Sequence, residues 1–522
     1  MSEVVRVFTP GDARRRRRHG LYRRMALAVG VLVILYLTVS SWDRRSYSQF
    51  VPKDQKYGVV ITDLLRHRDA LAQSAVWRAL PPSIGANGIP ALLTSSTGLP
   101  EWVLNNLIGG SCYITGQDIV AFHDVVIITR MTMIGKQLER LSAFASAIEN
   151  DPAGGLRLRH VRGTSVYFAV RGRLFLLSRS RDALIRSLTL RPEDVVSDDP
   201  LLIQTAKSGT EHVRGMVILS PDDPLGKHIR SLRFALRIDA AAAHLRCRVK
   251  LDESLDASLA PLLTDLGPKP LIAPPDGMIG LSANLGHPIK DVWTSLAPAL
   301  PYPIFAAQQW DAWQTVSPGR QPGWLHMLTG LLGLAGPGFA LSVSGVDQNE
   351  MLPLPLLVGL FEAPIDAIQK AAASWPPLPD TAKPWDSIPR YETDHKWIRL
   401  PLIGGPSLEP VAAPYGDAHL LFSSSRTVAE AMLTQPQPPQ PLATPGNLCL
   451  QIKPLDCVQA LADAGQQLAD SNLLRGYAPD SFKADAARWI EQAKNVRSLS
   501  FLLTRDNGEL AAQADLFCTT VD

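Results

Sequence analysis

Two serine–arginine steps, Ser180-Arg181 and Ser425-Arg426, are the polar residues whose type and placement could do chemistry. Each follows a strand-like apolar run, LFLL in one case and HLLF in the other, and each opens a stretch of helical periodicity. A serine at such a step can offer its hydroxyl and the free amides of a first helical turn to an anion, and the adjacent arginine adds charge. The same serine can instead cap those amides itself, which accounts for a serine at both places without any ligand. Other candidates are thinner. Asp63 and His67 have helical i, i+4 spacing but no third ligand, so they read as a solvated helix face and no metal is expected. His123-Asp124 lies between two apolar runs and reads as a hairpin turn, and Gly109-Gly110-Ser111 as a helix end followed by a strand. Trp310 and Trp313 share a face if 305–314 is helical; they are candidates for an apolar ligand groove or an interface, against a plain core role. There is no nucleophile elbow, zinc-binding helix, phosphate loop, paired-cysteine set or dinucleotide fingerprint, so no cofactor and no catalytic residue is assigned.

The elements that must position these residues alternate between strand and helix periods. Strand-length apolar runs at 118–129, 164–169 and 172–178 are separated by a helical pattern at 135–148. The stretch 324–341 (WLHMLTGLLGLAGPGFAL) is apolar but carries four glycines, His326 and Pro337, and it predicts a buried helix, a glycine stop and a strand. Prolines gather at 376–379 and 436–445, as loops require. The five cysteines (Cys112, Cys247, Cys449, Cys457, Cys518) are odd in number and mostly in apolar runs; free buried thiols are expected, with one disulfide such as Cys449–Cys518 as the alternative.

Charge places the chain against a membrane. Arg14 to Arg18, Arg23 and Arg24 precede the uncharged run Met25–Trp42, MALAVGVLVILYLTVSSW. As a helix this run covers about 27 Å, close to the ~30 Å hydrocarbon core of a bilayer. Seven arginines before it outweigh Arg44, Arg45, Lys53 and Lys56 after it, which predicts a cytoplasmic N-terminus and a body outside. A cleaved signal peptide and a cytosolic body are the rival readings. The first needs a shorter apolar core and a small-residue cleavage site, and Val39-Ser40-Ser41 is a poor one. Residues 1–24 hold eight arginines against Glu3 and Asp12, a net of +6 within a chain of +3, so the remainder carries −3. A body without basic excess argues against nucleic acid as a partner.

The body repeats. Residues 172–188 (GRLFLLSRSRDALIRSL) align without a gap to 417–433 (DAHLLFSSSRTVAEAML), with identities at Leu176/Leu421, Ser178/Ser423, Ser180/Ser425, Arg181/Arg426 and Leu188/Leu433. Further blocks recur in the same order: 52–65 with 274–286, 107–116 with 334–345, 213–223 with 445–456, and 244–251 with 509–517. The fold class expected is α+β, an N-terminal transmembrane helix followed by two homologous halves with mainly antiparallel sheets. The boundaries are 1–24 (basic tail), 25–42 (span), 50–262 and 270–520.

The single span, the VPKD turn, the Ala75-Val76-Trp77 stretch and the strand-then-SxSR-then-helix blocks resemble a bacterial family of membrane-anchored proteins of unknown function with a duplicated α+β body. The resemblance implies no catalytic residues. The expected function is a non-enzymatic protein of the cell envelope, in the plasma membrane through Met25–Trp42, that binds a protein partner or an apolar ligand such as a lipid. An extracytoplasmic hydrolase or transferase, its site assembled only in three dimensions, is the alternative.

Overall fold

The computed structural model describes residues 45–62, 73–76, 111–117, 124–142, 148–196, 211–221, 226–259, 271–296, 333–347, 353–373, 390–399, 409–434, 440–506 and 508–519, apart from a few positions within these ranges, together with short helical stretches near the N-terminus. It divides into two compact units, residues 1–67 with 90–209, and 68–89 with 210–522.

In the first unit the strands are β1 (Tyr57–Ile61), β2 (Cys112–Gly116), β3 (Val126–Arg130), β4 (Ile148–Ala153), β5 (Leu156–Val161), β6 (Tyr167–Arg171) and β7 (Leu174–Ser178). Helix α1 (Met133–Ser142) follows β3, and α2 (Arg181–Leu188) follows β7. The ladder is antiparallel throughout and runs β4-β5-β6-β7-β3-β2-β1. Strand β7 is buried on both faces, which is why its sequence reads as a continuous apolar run rather than an alternating one. Phe175 packs with Met131 and Phe168, while Leu174, Leu176 and Leu184 are fully enclosed. The reversal between β6 and β7 uses Gly172 at φ +66°, a conformation that disfavours side chains with a Cβ.

The second unit contains β8 (Val213–Ile218), β9 (Ile229–Ile238), β10 (Ala242–Leu251), α3 (Glu253–Leu259), β11 (Ile279–Asn284), α4 (Ile289–Leu296), β12 (Gly338–Asp347), β13 (Leu354–Glu362) and α5 (Ile365–Ala373). After these come β14 (Arg390–Glu392), β15 (Trp397–Arg399), β16 (Val411–Tyr415), β17 (His419–Ser423), α6 (Arg426–Thr434), β18 (Leu448–Ile452), α7 (Pro454–Asp470), α8 (Pro479–Ala493), β19 (Val496–Asp506) and β20 (Glu509–Cys518). Its antiparallel ladder runs β8-β9-β10-β20-β19-β18-β11-β12-β13-β17-β16-β15-β14. Within it β14-β15-β16-β17-β13-β12-β11 reproduces, strand for strand, the order of the first unit. The ladders β8-β9-β10 and β18-β19-β20 likewise match, meeting at the β10–β20 pair. Strand β17 packs on two sides: Leu420 against Ile365 and Ile368 of α5, and Leu421 against Ala429 of α6.

The protein is therefore α+β with extensive antiparallel sheet and several helices, as expected. Some boundaries shift. The run 118–129 is not one strand: β2 ends at Gly116 and β3 begins at Val126, with Asp124 in the connection and His123 outside the described residues. The helix expected over 135–148 is α1, ending at Ser142, because Ile148 opens the β4–β5 hairpin. The strand expected at the end of 324–341 is β12, preceded by helical Gly333 and Leu334. Of Met25–Trp42, Met25 and residues 27–32 are described; they are helical, with Leu27, Val29, Val31 and Leu32 exposed at 53–70%. No helix among the described residues is long and apolar enough to cross a membrane.

All five cysteines are free thiols, including Cys449 and Cys518. Burial pushes each of them up, Cys112 to about 11. Only the thiolate attacks an alkylating reagent, so a pKa of about 11 leaves about one Cys112 in a thousand reactive near pH 8, against roughly one in four for an ordinary thiol. Iodoacetamide labelling followed by peptide mass spectrometry should show Cys112 silent until denaturant is added. Rapid labelling of the native chain would contradict the raised pKa.

Candidate functional site

The first unit holds a cavity of about 260 Å³ beside the start of α2, with several polar side chains among those that line it. Local sequence explains its walls. The chain turns at Pro52, which bridges to Val195, and the amide of Gln55 closes that turn on the Pro52 carbonyl. This folds the Gln55 side chain inward, where it is 5% exposed. Its Nε2 lies 2.9 Å from the Tyr113 hydroxyl, and its Oε1 accepts from Thr115 Oγ1 at 2.6 Å. A buried amide so partnered is held in one orientation, because releasing it would strand a polar group away from water.

At the rim, the β2–β3 connection is tied by the Gln117 amide donating to Asp124 Oδ2 at 2.6 Å. Gln117 Nε2 donates to Asp54 Oδ2 at 2.6 Å, and Arg186 bridges the pair, donating to Gln117 Oε1 at 2.5 Å and to Asp54. Arg186 also lines a second cavity of about 520 Å³ with Lys53, Arg191 and Asp194. The floor of the first cavity comes from α2: Ser180, Asp182, Ala183 and Ser187. Ser187 is 1% exposed and its hydroxyl has no hydrogen-bond partner among the described residues, an unusual state for a buried polar group. The lining thus offers carboxylates, hydroxyls, an amide and a guanidinium, and no histidine among its described residues. That set recognises hydroxyls and amines, and it lacks a base paired to a nucleophile.

The structure places the repeated serines as helix caps. Ser180 has extended backbone and its Oγ accepts from the Ala183 amide at 3.2 Å; Ser425 Oγ accepts from the Val428 amide at 3.5 Å. Behind each cap the buried strand serine braces the turn, Ser178 Oγ accepting from the Ser180 amide and Ser423 Oγ from the Ser425 amide. Neither arginine is left to attract an anion. Arg181 pairs with Asp151 at 2.8 Å and holds that carboxyl below the usual range. Arg426 pairs with Glu430 at 2.6 Å and approaches the buried Glu409, which Arg399 also engages. Of these four residues, Ser180 alone lines the cavity; Ser425 and Arg426 belong to the second unit. Trp310, Trp313, Asp63, His67, Gly109 and Gly110 lie outside the described residues. Gln55, Thr115 and Ser187 were not singled out in the sequence, where no motif marks them; a glutamine three residues after a turn proline is visible only once its burial is known.

Replacing Ser180 with alanine should cost about 1 kcal/mol and with glycine only a few tenths, the signature of a cap, read from the urea midpoint. Equal losses from both variants would require another role for the hydroxyl.

No protein-family model matches the chain, and no curated protein matches it. Among solved structures, crystal form III of TP0453 aligns at 7% identity with a TM-score of 0.24, over 45% of this chain and 90% of that one. Crystal form IV aligns at 8% and 0.22 over 41% and 84%, and crystal form I at 8% and 0.23 over 41% and 81%. Likeness at these scores carries no argument about fold or function.

Proposed function

We propose that this chain is a single-pass protein of a bacterial envelope, anchored through Met25–Trp42, whose duplicated body stands outside the cytoplasm and binds a small polar ligand in the cavity of the first unit. The anchor reading is supported by the arginine cluster and by exposed apolar residues on the helical stretch 27–32. The duplication reading is supported by the aligned blocks and by the recurrence of one strand order. The observation that carries the binding reading is the cavity itself: a fixed buried amide at Gln55, a buried unpartnered hydroxyl at Ser187, and carboxylates at Asp124 and Asp182. Its lining turns the expected ligand from an apolar molecule to one rich in hydroxyls or amines, of about the size of a single sugar ring.

A melting-temperature screen of the full chain in neutral detergent against monosaccharides, polyols and small amines tests this. A saturable upward shift is expected for at least one compound, and it should vanish in Asp182→Asn, where loss of an exposed first-turn charge lowers the ligand-free midpoint only slightly. No shift for any compound, or the same shift in the variant, would overturn the cavity as the site. Separately, a reporter that folds only in the cytoplasm should stay silent when fused after Asp522; a signal from it would overturn the placement of the body.

A further inference from the structure

The net charge of −3 outside the N-terminal tail conceals a concentrated basic patch on one face of the β9–β10 hairpin in the second unit. Register places Arg233 directly opposite Arg248, with Arg246 and Lys250 two residues to either side of Arg248 on the same face. All four side chains are exposed. Their basic neighbours are paired: Arg230 with Asp252, Arg237 with Asp239, Arg214 with Glu211, and His244 with Asp515. Arg233, Arg246, Arg248 and Lys250 have no ion-pair partner among the described residues, although Glu509 lies across from Lys250 in register. Like charges directly opposed across a strand pair are unfavourable, so the free protein carries a repulsion that an anionic partner would relieve.

We propose that this face docks on an anionic lipid surface. The cations line one open sheet face over about 14 Å along β10, an extended array that suits a surface of phosphates better than a single buried ion. Guanidinium groups engage phosphate oxygens in pairs. The same face ends in exposed apolar side chains, Ile218 on β8 at 44% and Phe517 on β20 at 39%, which can enter a headgroup layer beside the charges. The choice of lipid over other polyanions rests on the proposed anchor, which keeps a bilayer within reach of the body.

The test is arginine footprinting of the full chain in lipid nanodiscs, using phenylglyoxal and peptide mass spectrometry. Arg233, Arg246 and Arg248 should react about tenfold more slowly in discs containing phosphatidylglycerol than in phosphatidylcholine discs, with the difference lost in high salt. Arg162, 66% exposed in the first unit, is the internal reference. Equal rates in the two discs would overturn the proposal, as would protection by added duplex DNA without protection by phosphatidylglycerol. In the double variant Arg233→Gln with Arg248→Gln, Arg246 should lose its protection while the melting midpoint holds; persisting protection would overturn it. Arg248→Gln alone gives the same reading if the double variant folds poorly. A chain that washes off membranes in alkali would refute the anchor, and the patch would then be read on the same chain mixed with vesicles of the two compositions.

Discussion

Leu421→Ala is expected to destabilise the second unit by about 2–5 kcal/mol, and Leu176→Ala the first by a similar amount. Both side chains are fully buried, and they occupy the same place in the two copies of the repeat. Leu421 sits among Val358, Leu360, Val411, Ala413, Tyr415 and Ala429, contributed by β13, β16 and α6. Its strand is hydrogen-bonded on both sides, to β13 and to β16, so the backbone cannot close on the space that truncation leaves. The cost therefore contains a cavity contribution as well as the lost transfer of apolar surface. Leu188 and Leu433, the other leucine pair kept in both copies, lie on half-buried helix faces that can readjust, and alanine there should cost about 1 kcal/mol. Hydrogen exchange across a urea series, read on peptides of each unit, separates the two cases. A loss under about 1 kcal/mol at Leu421 would mean that β17 is not the rigid centre of its sheet.

What could be read from the sequence follows the range over which each signal acts. The SxSR turns are local: an apolar strand, a capping serine and a first-turn charge lie within ten residues, and Ser180 and Ser425 are caps in the structure. Five sequence blocks recur in one order, and a seven-strand order recurs in the two units, both of which depend on local patterns carried along the chain. The expected boundaries at 118–129 and 135–148 shift because periodicity alone does not mark where one element ends: Asp124 already lies in the β2–β3 connection, and Ile148 already belongs to β4. The cavity was not legible because Gln55, Thr115 and Ser187 come from three separate segments that only the β1–β2 pairing and the packing of α2 bring together. The basic patch was half legible. Arg246, Arg248 and Lys250 alternate along one strand, but net charge averages them against distant acids, and only the register shows Arg233 facing Arg248.

Gly58→Val is expected to cost about 3 kcal/mol and to abolish ligand binding at the cavity, because this glycine exists to make room for a ring. A Cβ at Gly58 would lie 2.4 Å from the Tyr113 hydroxyl oxygen and 3.4 Å from Gln55 Oε1. On the other face of the β1–β2 pair, a Cβ at Gly116 would lie 2.2 Å from the Tyr57 hydroxyl oxygen. Tyr113 is 1% exposed and cannot swing out to water without emptying the core. Displacing it would break its contact with Gln55, leaving the buried amide short of a partner, so overpacking and a lost hydrogen bond act together. Gly345, on β12 with nothing within 4 Å of its Cβ position, should accept valine within about 0.5 kcal/mol, which separates crowding from loss of glycine as such. The sharper measurement is a double-mutant cycle between Gly58→Ala and Tyr113→Phe. If the hydroxyl is the obstacle, alanine should cost about 1 kcal/mol less in the phenylalanine background than in the native one. Additive costs would place the obstacle in the ring or the backbone.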